Sequence, residues 1–141
     1  MSEQRSMPVR FFDAVGKVSQ TVRLLAVLPD RLQERIVKAF ISQWSRVKAD
    51  DFPSGLREQY ETLDRRMTAG PTTNEHNGLI QATVLRMSDD EARELAEAIV
   101  SFAYELRQES ARYRYDKDLR DALDEELLSL IDATADSEPV N

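Results

Sequence analysis

The chain has 141 residues, 41% hydrophobic and 32% charged, a length and composition that predict one folded, soluble domain. It contains no cysteine and a single histidine, which excludes disulfide frameworks, thiolate metal sites, iron–sulfur clusters and cysteine nucleophiles. The formal net charge of −7 is uneven: residues 1–70 carry 12 basic and 9 acidic side chains, whereas residues 71–141 carry 7 and 17. This asymmetry indicates an electrostatic partner, two halves that face each other, or two solvated halves.

The N-terminal region contains no apolar run long enough for a signal peptide or a membrane span, the longest being residues 24–28. We therefore expect a cytoplasmic protein without a membrane contact. Residues 1–8 are predicted to form a flexible leader, residues 9–133 a helical domain, and residues 134–141 a flexible acidic tail.

The first two predicted helices each carry a broad apolar face. Apolar residues recur at steps of three and four as far as Leu25, which predicts a first helix, although a short strand over residues 22–28 competes with it. Pro29 ends this helix, and Asp30 is placed to cap a second helix that runs to about Lys48. Either these helices are central in the monomer, or part of their apolar surface is covered by a second copy of the chain; we favour the second interpretation, a homodimer assembled through these helices.

Two shorter helices are predicted next. A narrow apolar stripe from Leu56 to Met67 predicts the third helix, and residues 79–87 predict the fourth. Between them, residues 68–78 are dense in Gly, Pro, Thr and Asn, which break or cap helices. We expect this segment to be the main interhelical loop.

The fifth predicted helix has the clearest pattern. Ser88 and Glu91 have the spacing of a capping box, and the apolar residues of 92–106 fall within one arc. The segment 112–116 either continues this helix or bends it, and the aliphatic residues of 119–131 predict a sixth helix. The predicted fold is an all-α, single-domain bundle of five or six helices, with helices 1, 2 and 5 supplying most of the core.

Patterns for metal and nucleotide chemistry are not met. A di-iron carboxylate site needs a Glu-x-x-His pair on each of two helices, and the chain has only His76. The pair Gly16-Lys17 resembles the end of a P-loop, but Val18 stands where a magnesium-binding Ser or Thr is required. We expect no catalytic residue, no metal and no cofactor. His76, in the predicted loop, is kept as a candidate base, pH sensor or shared metal ligand, beside the simpler interpretation of an ordinary loop histidine.

Two charged faces and one mixed segment are candidates for binding a partner. The basic face of helix 2 could contact an acidic partner or phosphates, helix 5 carries an acidic stripe, and the segment after it interleaves arginine with tyrosine, as interfaces often do. The candidate residues are Arg31, Arg35, Lys38, Arg46, Glu94, Glu97, Glu105, Arg112 and Tyr113.

These observations predict a non-enzymatic protein–protein interaction or assembly module, homodimeric or bound to another protein. One alternative is a DNA-associated regulator that neutralises phosphates with its basic N-terminal helices. Another is a helical sensor, or a small hydrolase, with a buried pocket for a small ligand.

Overall fold

The computed structural model describes residues 7–69 and 76–136, with the side chains of residues 9–69, 78–118 and 121–132. These residues form α-helices and short 3-10 turns, and no β-strand occurs among them. The α-helices are α1 (Met7–Val27), α2 (Leu32–Ser42), α3 (Ser54–Thr68), α4 (His76–Val84) and α5 (Asp89–Asp136). The prediction of an all-α bundle is confirmed.

The N-terminal helices follow the predicted pattern but with different ends. The competing strand over residues 22–28 is wrong, because α1 continues to Val27 and buries Leu25 on the same face as the earlier apolar residues. Helix α2 is preceded by Arg31, and no side chain caps it. The expected cap, Asp30, instead accepts a hydrogen bond from the ammonium of Lys38 at 2.7 Å.

Helix α2 ends at Ser42, well before the predicted Lys48, and two 3-10 turns, Trp44–Arg46 and Ala49–Asp51, lead to α3. Contacts with α3 accompany this early end. The indole N–H of Trp44 donates to Oδ1 of Asp64 at 3.0 Å, and its ring stacks on Tyr60 with centroids 5.0 Å apart. These contacts hold Trp44 in the core although the backbone has left the α-helical path.

The chain divides into two compact units, Met1–Arg107 and Gln108–Asn141. Every buried apolar side chain of the described residues belongs to the first unit. Its centre is an aromatic cluster in which Phe102 of α5 meets Phe52 at 5.6 Å and Trp44 at 6.0 Å between ring centroids. Helices α1, α2 and α5 supply most of the buried apolar residues, as predicted, and α3, α4 and the connection between α2 and α3 complete the core.

Helix α5 begins with the predicted capping box. The backbone N–H of Ser88 donates to Oε1 of Glu91, the backbone N–H of Glu91 donates to Oγ of Ser88, and both distances are 3.1 Å. Hydrogen bonds from the backbone and hydroxyl of Ser88 lower the pKa of the Glu91 carboxyl, because they favour its charged form. The buried Gln33 of α2 donates to the carbonyl of Met87 at 3.1 Å and to Oδ1 of Asp89 at 3.0 Å, which fixes the start of α5 against α2.

The residues predicted as helices 5 and 6 form one continuous helix to Asp136, so a separate sixth helix is not formed. In the second unit, the side chains of residues 111–118 and 121–132 are all exposed. The predicted loop is shorter than expected, because α4 already begins at His76, and residues 70–75 of that loop lie outside the described residues. Most of the predicted leader and tail also lies outside them.

Candidate interaction surface

The predicted basic face of helix 2 is largely engaged within the chain. Nη1 of Arg35 donates to the backbone carbonyl of Leu25 at 2.6 Å. Leu25 is in the last turn of α1, where carbonyl groups have no partner inside the helix and the helix dipole favours a cation. Arg35 therefore joins α2 to the C-terminal end of α1. The helical periodicity of the sequence, which placed Arg35 on an exposed basic face, did not indicate this structural role.

The other three residues of that face do not form a continuous cationic arc. The ammonium of Lys38 lies 2.7 Å from Oδ2 of Asp30, and this hydrogen bond raises the pKa of Lys38 by favouring its charged form. Arg31 is exposed and lies 3.5 Å from the carboxylate of Glu34. Arg46 is exposed but belongs to the first 3-10 turn, since α2 has already ended.

The predicted acidic stripe is present on α5, where Glu94, Glu97 and Glu105 are all exposed. Glu105 also borders an open groove of about 560 Å³ between α3 and α5. The floor of the groove contains Leu63 and Phe102, and Glu58 supplies a second carboxylate. The groove is lined by Gly55, Glu58, Gln59, Thr62, Leu63, Ala98, Ser101, Phe102 and Glu105, a set without a cation.

The remaining predicted residues do not converge on a site. Arg112 lies 3.3 Å from the carboxylate of Glu109 one turn earlier, and Tyr113 is partly exposed on the second unit. His76 is the first residue of α4 and not a loop residue, and its side chain lies outside the described residues. Across the described parts of the chain, no group of three or more His, Asp or Glu side chains is arranged to hold a metal ion.

The most distinctive surface lies on the C-terminal part of α5. Four large aliphatic side chains are between 54% and 61% exposed there. At about 100° per residue they fall within an arc of about 100° on one side of the helix. We call this set the leucine surface; it consists of Leu123, Leu127, Leu130 and Ile131. Leu128 is equally exposed but lies outside this arc, about 60° round the helix from Ile131 and about 100° from Leu127.

The charged residues of the segment 121–132, which carries the leucine surface, all have one sign. Residues 121–132 contain five carboxylates and no Lys, Arg or His, and the five are Asp121, Asp124, Glu125, Glu126 and Asp132. Glu126 lies about 60° from Leu123 round the helix, beside the leucine surface, whereas Glu125 lies about 160° from it, on the far side. The result is an amphipathic helix with an aliphatic face and acidic flanks.

The leucine surface was present in the sequence pattern, but that pattern predicted only a sixth helix and left open whether its aliphatic face is a core face or a docking face. Only its exposure in the folded chain distinguishes the two, since the periodicity of a core helix and of a docking helix is the same. The signal available in the sequence was the absence of any cation from residues 121–132 beside four periodic aliphatic residues.

Fold and surface together define an all-α protein with an exposed acidic amphipathic helix. No protein-family model matches the chain, and comparison with curated proteins and with solved structures found no match either. Within residues 7–69 and 76–136, no helix has an apolar stretch sufficient to cross a bilayer.

Proposed function

We propose that the chain is a non-enzymatic protein–protein interaction module whose binding site is the leucine surface. The observation that carries this proposal is the exposure of Leu123, Leu127 and Ile131, spaced four residues apart on one helix face, in a chain that buries its other periodic apolar faces. Single exposed leucines are ordinary on protein surfaces, but a contiguous aliphatic row marks a contact site.

The apolar faces of helices 1 and 2, on which the predicted homodimer was based, are used within the chain. The breadth of their apolar faces indicated surplus surface, but Phe11, Val18, Ile36 and Phe40 are all buried in the core of the first unit. The first unit still exposes single large apolar side chains, but the largest group of exposed aliphatic side chains among the described residues is on the second unit, so the proposed contact is made there.

The size of the surface indicates a reversible contact. Complete burial of one aliphatic side chain contributes about 1.5–3 kcal/mol, and these side chains are already about half covered, so four of them contribute roughly 4 kcal/mol in total. Association itself costs about 4–15 kcal/mol in lost freedom. Binding at the leucine surface therefore needs further favourable contacts with the same partner. The carboxylates that flank this surface can provide them.

A matched pair of variants tests this proposal. Helical peptides are selected from a display library against the full chain, and their affinities are then measured for Leu127→Gln and for Leu128→Gln. Both substitutions replace an exposed leucine, but only the first removes a member of the leucine surface. We expect Leu127→Gln to weaken binding about tenfold, equivalent to about 1.4 kcal/mol, and Leu128→Gln to change it less than twofold.

Equal effects of the two substitutions would contradict the proposal, as would a selection that yields no binder together with sedimentation showing no self-association. Circular dichroism of both variants controls for loss of helix. Since both residues are exposed and glutamine has good helix propensity, no difference in fold is expected.

A further inference from the structure

The leucine surface and the charges that flank it together indicate which kind of partner can bind. This inference rests on the proposed function. An interface that covers the leucine surface brings the partner close to Glu126 and Asp124, which flank the aliphatic row. Flanking charges in paired helices meet the flanking positions of the partner and decide which partner is accepted. Carboxylates at these positions favour lysine or arginine opposite them.

A second copy of this chain does not meet the requirement. When two copies pair leucine surface to leucine surface, in either direction, each brings five carboxylates and no cation from residues 121–132. Like charges at facing positions of paired helices destabilise the pair. Self-association through this surface is therefore opposed by the groups that flank it.

An offset antiparallel pair would match the charges but not the apolar residues. The preceding segment, residues 112–120, carries four cations and two carboxylates, so it could face residues 121–132 of a second copy. In that register, however, charged residues interrupt the continuation of the leucine surface along the helix: Arg112 and Asp116 lie within about 20° of Leu123, beside the apolar Leu119 and Tyr113. A second copy in this register therefore covers the leucine surface less completely than a helix whose aliphatic face is not interrupted by charge.

We infer that the leucine surface binds a basic amphipathic helix, in which an aliphatic face spaced at three and four residues is flanked by lysine or arginine. Such a helix meets both requirements in a single register. Its aliphatic face covers Leu123, Leu127 and Ile131, and its cations reach Glu126 and Asp124. In this mode of recognition, apolar side chains at successive turns of the bound helix make the main contacts.

Three labelled peptides of about three heptads test the inference against the full chain by fluorescence anisotropy. They share one leucine pattern and differ only in their polar positions, which are lysine, glutamine or glutamate. The lysine peptide is expected to bind at least tenfold more tightly than the glutamine peptide, and the glutamate peptide to show no binding. A lysine peptide with its leucines out of period controls for nonspecific attraction between charges and is expected to bind at least tenfold more weakly than the periodic one.

Charge variants of the chain provide the second readout. Glu126→Lys and Glu125→Lys change the net charge equally, but only Glu126 lies beside the leucine surface. We expect Glu126→Lys to weaken binding of the lysine peptide about tenfold, and Glu125→Lys to weaken it no more than about twofold. Raising the salt concentration from about 50 mM to about 500 mM should weaken this complex, whereas it would strengthen a contact between two acidic surfaces.

The outcomes separate this inference from the proposed function. If the lysine and glutamine peptides bind equally, and both lose affinity with Leu127→Gln, the interaction surface stands and the basic partner is wrong. If sedimentation shows a dimer that strengthens with salt and is lost with Leu127→Gln, the partner is a second copy and the inference is overturned. If the lysine peptide binds but is insensitive to Leu127→Gln, both the inference and the proposed site fail.

Discussion

Tyr60, a buried residue of the first unit, combines apolar packing with a hydrogen bond. Its ring packs between Trp44 and Phe52, at 5.0 Å between centroids in both cases. Its hydroxyl donates to the backbone carbonyl of Val47 at 2.8 Å, in the segment after the first 3-10 turn. A single side chain thus packs in the core and satisfies a carbonyl that no regular helix satisfies.

Removing that hydroxyl is expected to destabilise the chain without creating a large cavity. Tyr60→Phe keeps the ring but leaves the Val47 carbonyl without its donor, so the free energy of unfolding should fall by about 1–2 kcal/mol. Urea unfolding measures the change. The matched substitution Tyr104→Phe, on a ring that is 64% exposed, should change it by less than about 0.5 kcal/mol. Equal effects would mean that the hydrogen bond to Val47 contributes nothing.

Tyr60 should also make the free energy of unfolding depend on pH in the alkaline range. Burial raises the pKa of the Tyr60 hydroxyl above its ordinary value, and the charges of Asp64 and Asp51 act in the same direction. A raised pKa means that the folded chain keeps a proton which the unfolded chain releases, so the stability contribution is complete below about pH 10 and is lost as pH rises further. Between about pH 9 and pH 11, wild type should lose more unfolding free energy than Tyr60→Phe. Parallel curves for the two proteins would contradict this.

At the scale of elements, the connection between α1 and α2 depends on a residue that the sequence assigned to the surface. We expect Arg35→Gln to lower the free energy of unfolding by about 1–2 kcal/mol, because the carbonyl of Leu25 loses its charged donor at the end of α1. Arg31→Gln removes the same charge from the exposed pair with Glu34 and should cost less than about 0.5 kcal/mol. Thermal or urea unfolding that ranks the two in the opposite order would show that the contact to Leu25 is not stabilising.

Elements whose ends are set locally could be predicted, and those set by distant contacts could not. The start of α5 was readable because Ser88 and Glu91 are three residues apart and cap each other. The end of α2 was not, because the next turn is held by a distant contact, the hydrogen bond from Trp44 to Asp64 twenty residues later. The arginine–tyrosine segment left the choice between one and two C-terminal helices open, since its local sequence permits either.

The candidate site was less predictable than the fold for the same physical reason. Periodicity identifies a face, but burial depends on whether another element of the chain covers it. For α1 and α2 such elements exist, and faces assigned to a second copy are core. Residues 123–131 have the same kind of periodicity, but the aliphatic side chains of Leu123, Leu127, Leu130 and Ile131 are exposed. Likewise, the cations at positions 31, 35 and 38 were identified from the sequence, but their partners within the chain were not.

At the scale of the whole molecule, the two units differ in what stabilises them. The first has a shared apolar core, whereas the side chains of residues 111–118 and 121–132 in the second are exposed. A helix without tertiary packing is only marginally stable in water, so the second unit should respond to local changes that leave the first unit intact.

A proline substitution tests this difference. Ala111→Pro lies inside α5 beyond the core and removes a helical hydrogen bond, at a cost of about 3 kcal/mol to that helix. We expect lower far-ultraviolet helicity and rapid proteolysis after residue 111, with a protease-resistant fragment that retains the first unit. Ala111→Ser is the control and should keep both properties close to wild type. Loss of the resistant fragment in the proline variant would show that the units fold as one.

Trp44 gives the molecule an optical consequence. It is the only tryptophan in the chain, is fully buried, and is stacked on Tyr60 within the first unit. Its fluorescence therefore reports the water accessibility of one core only, while far-ultraviolet dichroism averages over all helices, including the exposed end of α5. A denaturant titration followed by both signals should yield two midpoints, with helicity declining before the emission shifts to the red. The interval between the two curves would then measure how independently the exposed helix melts.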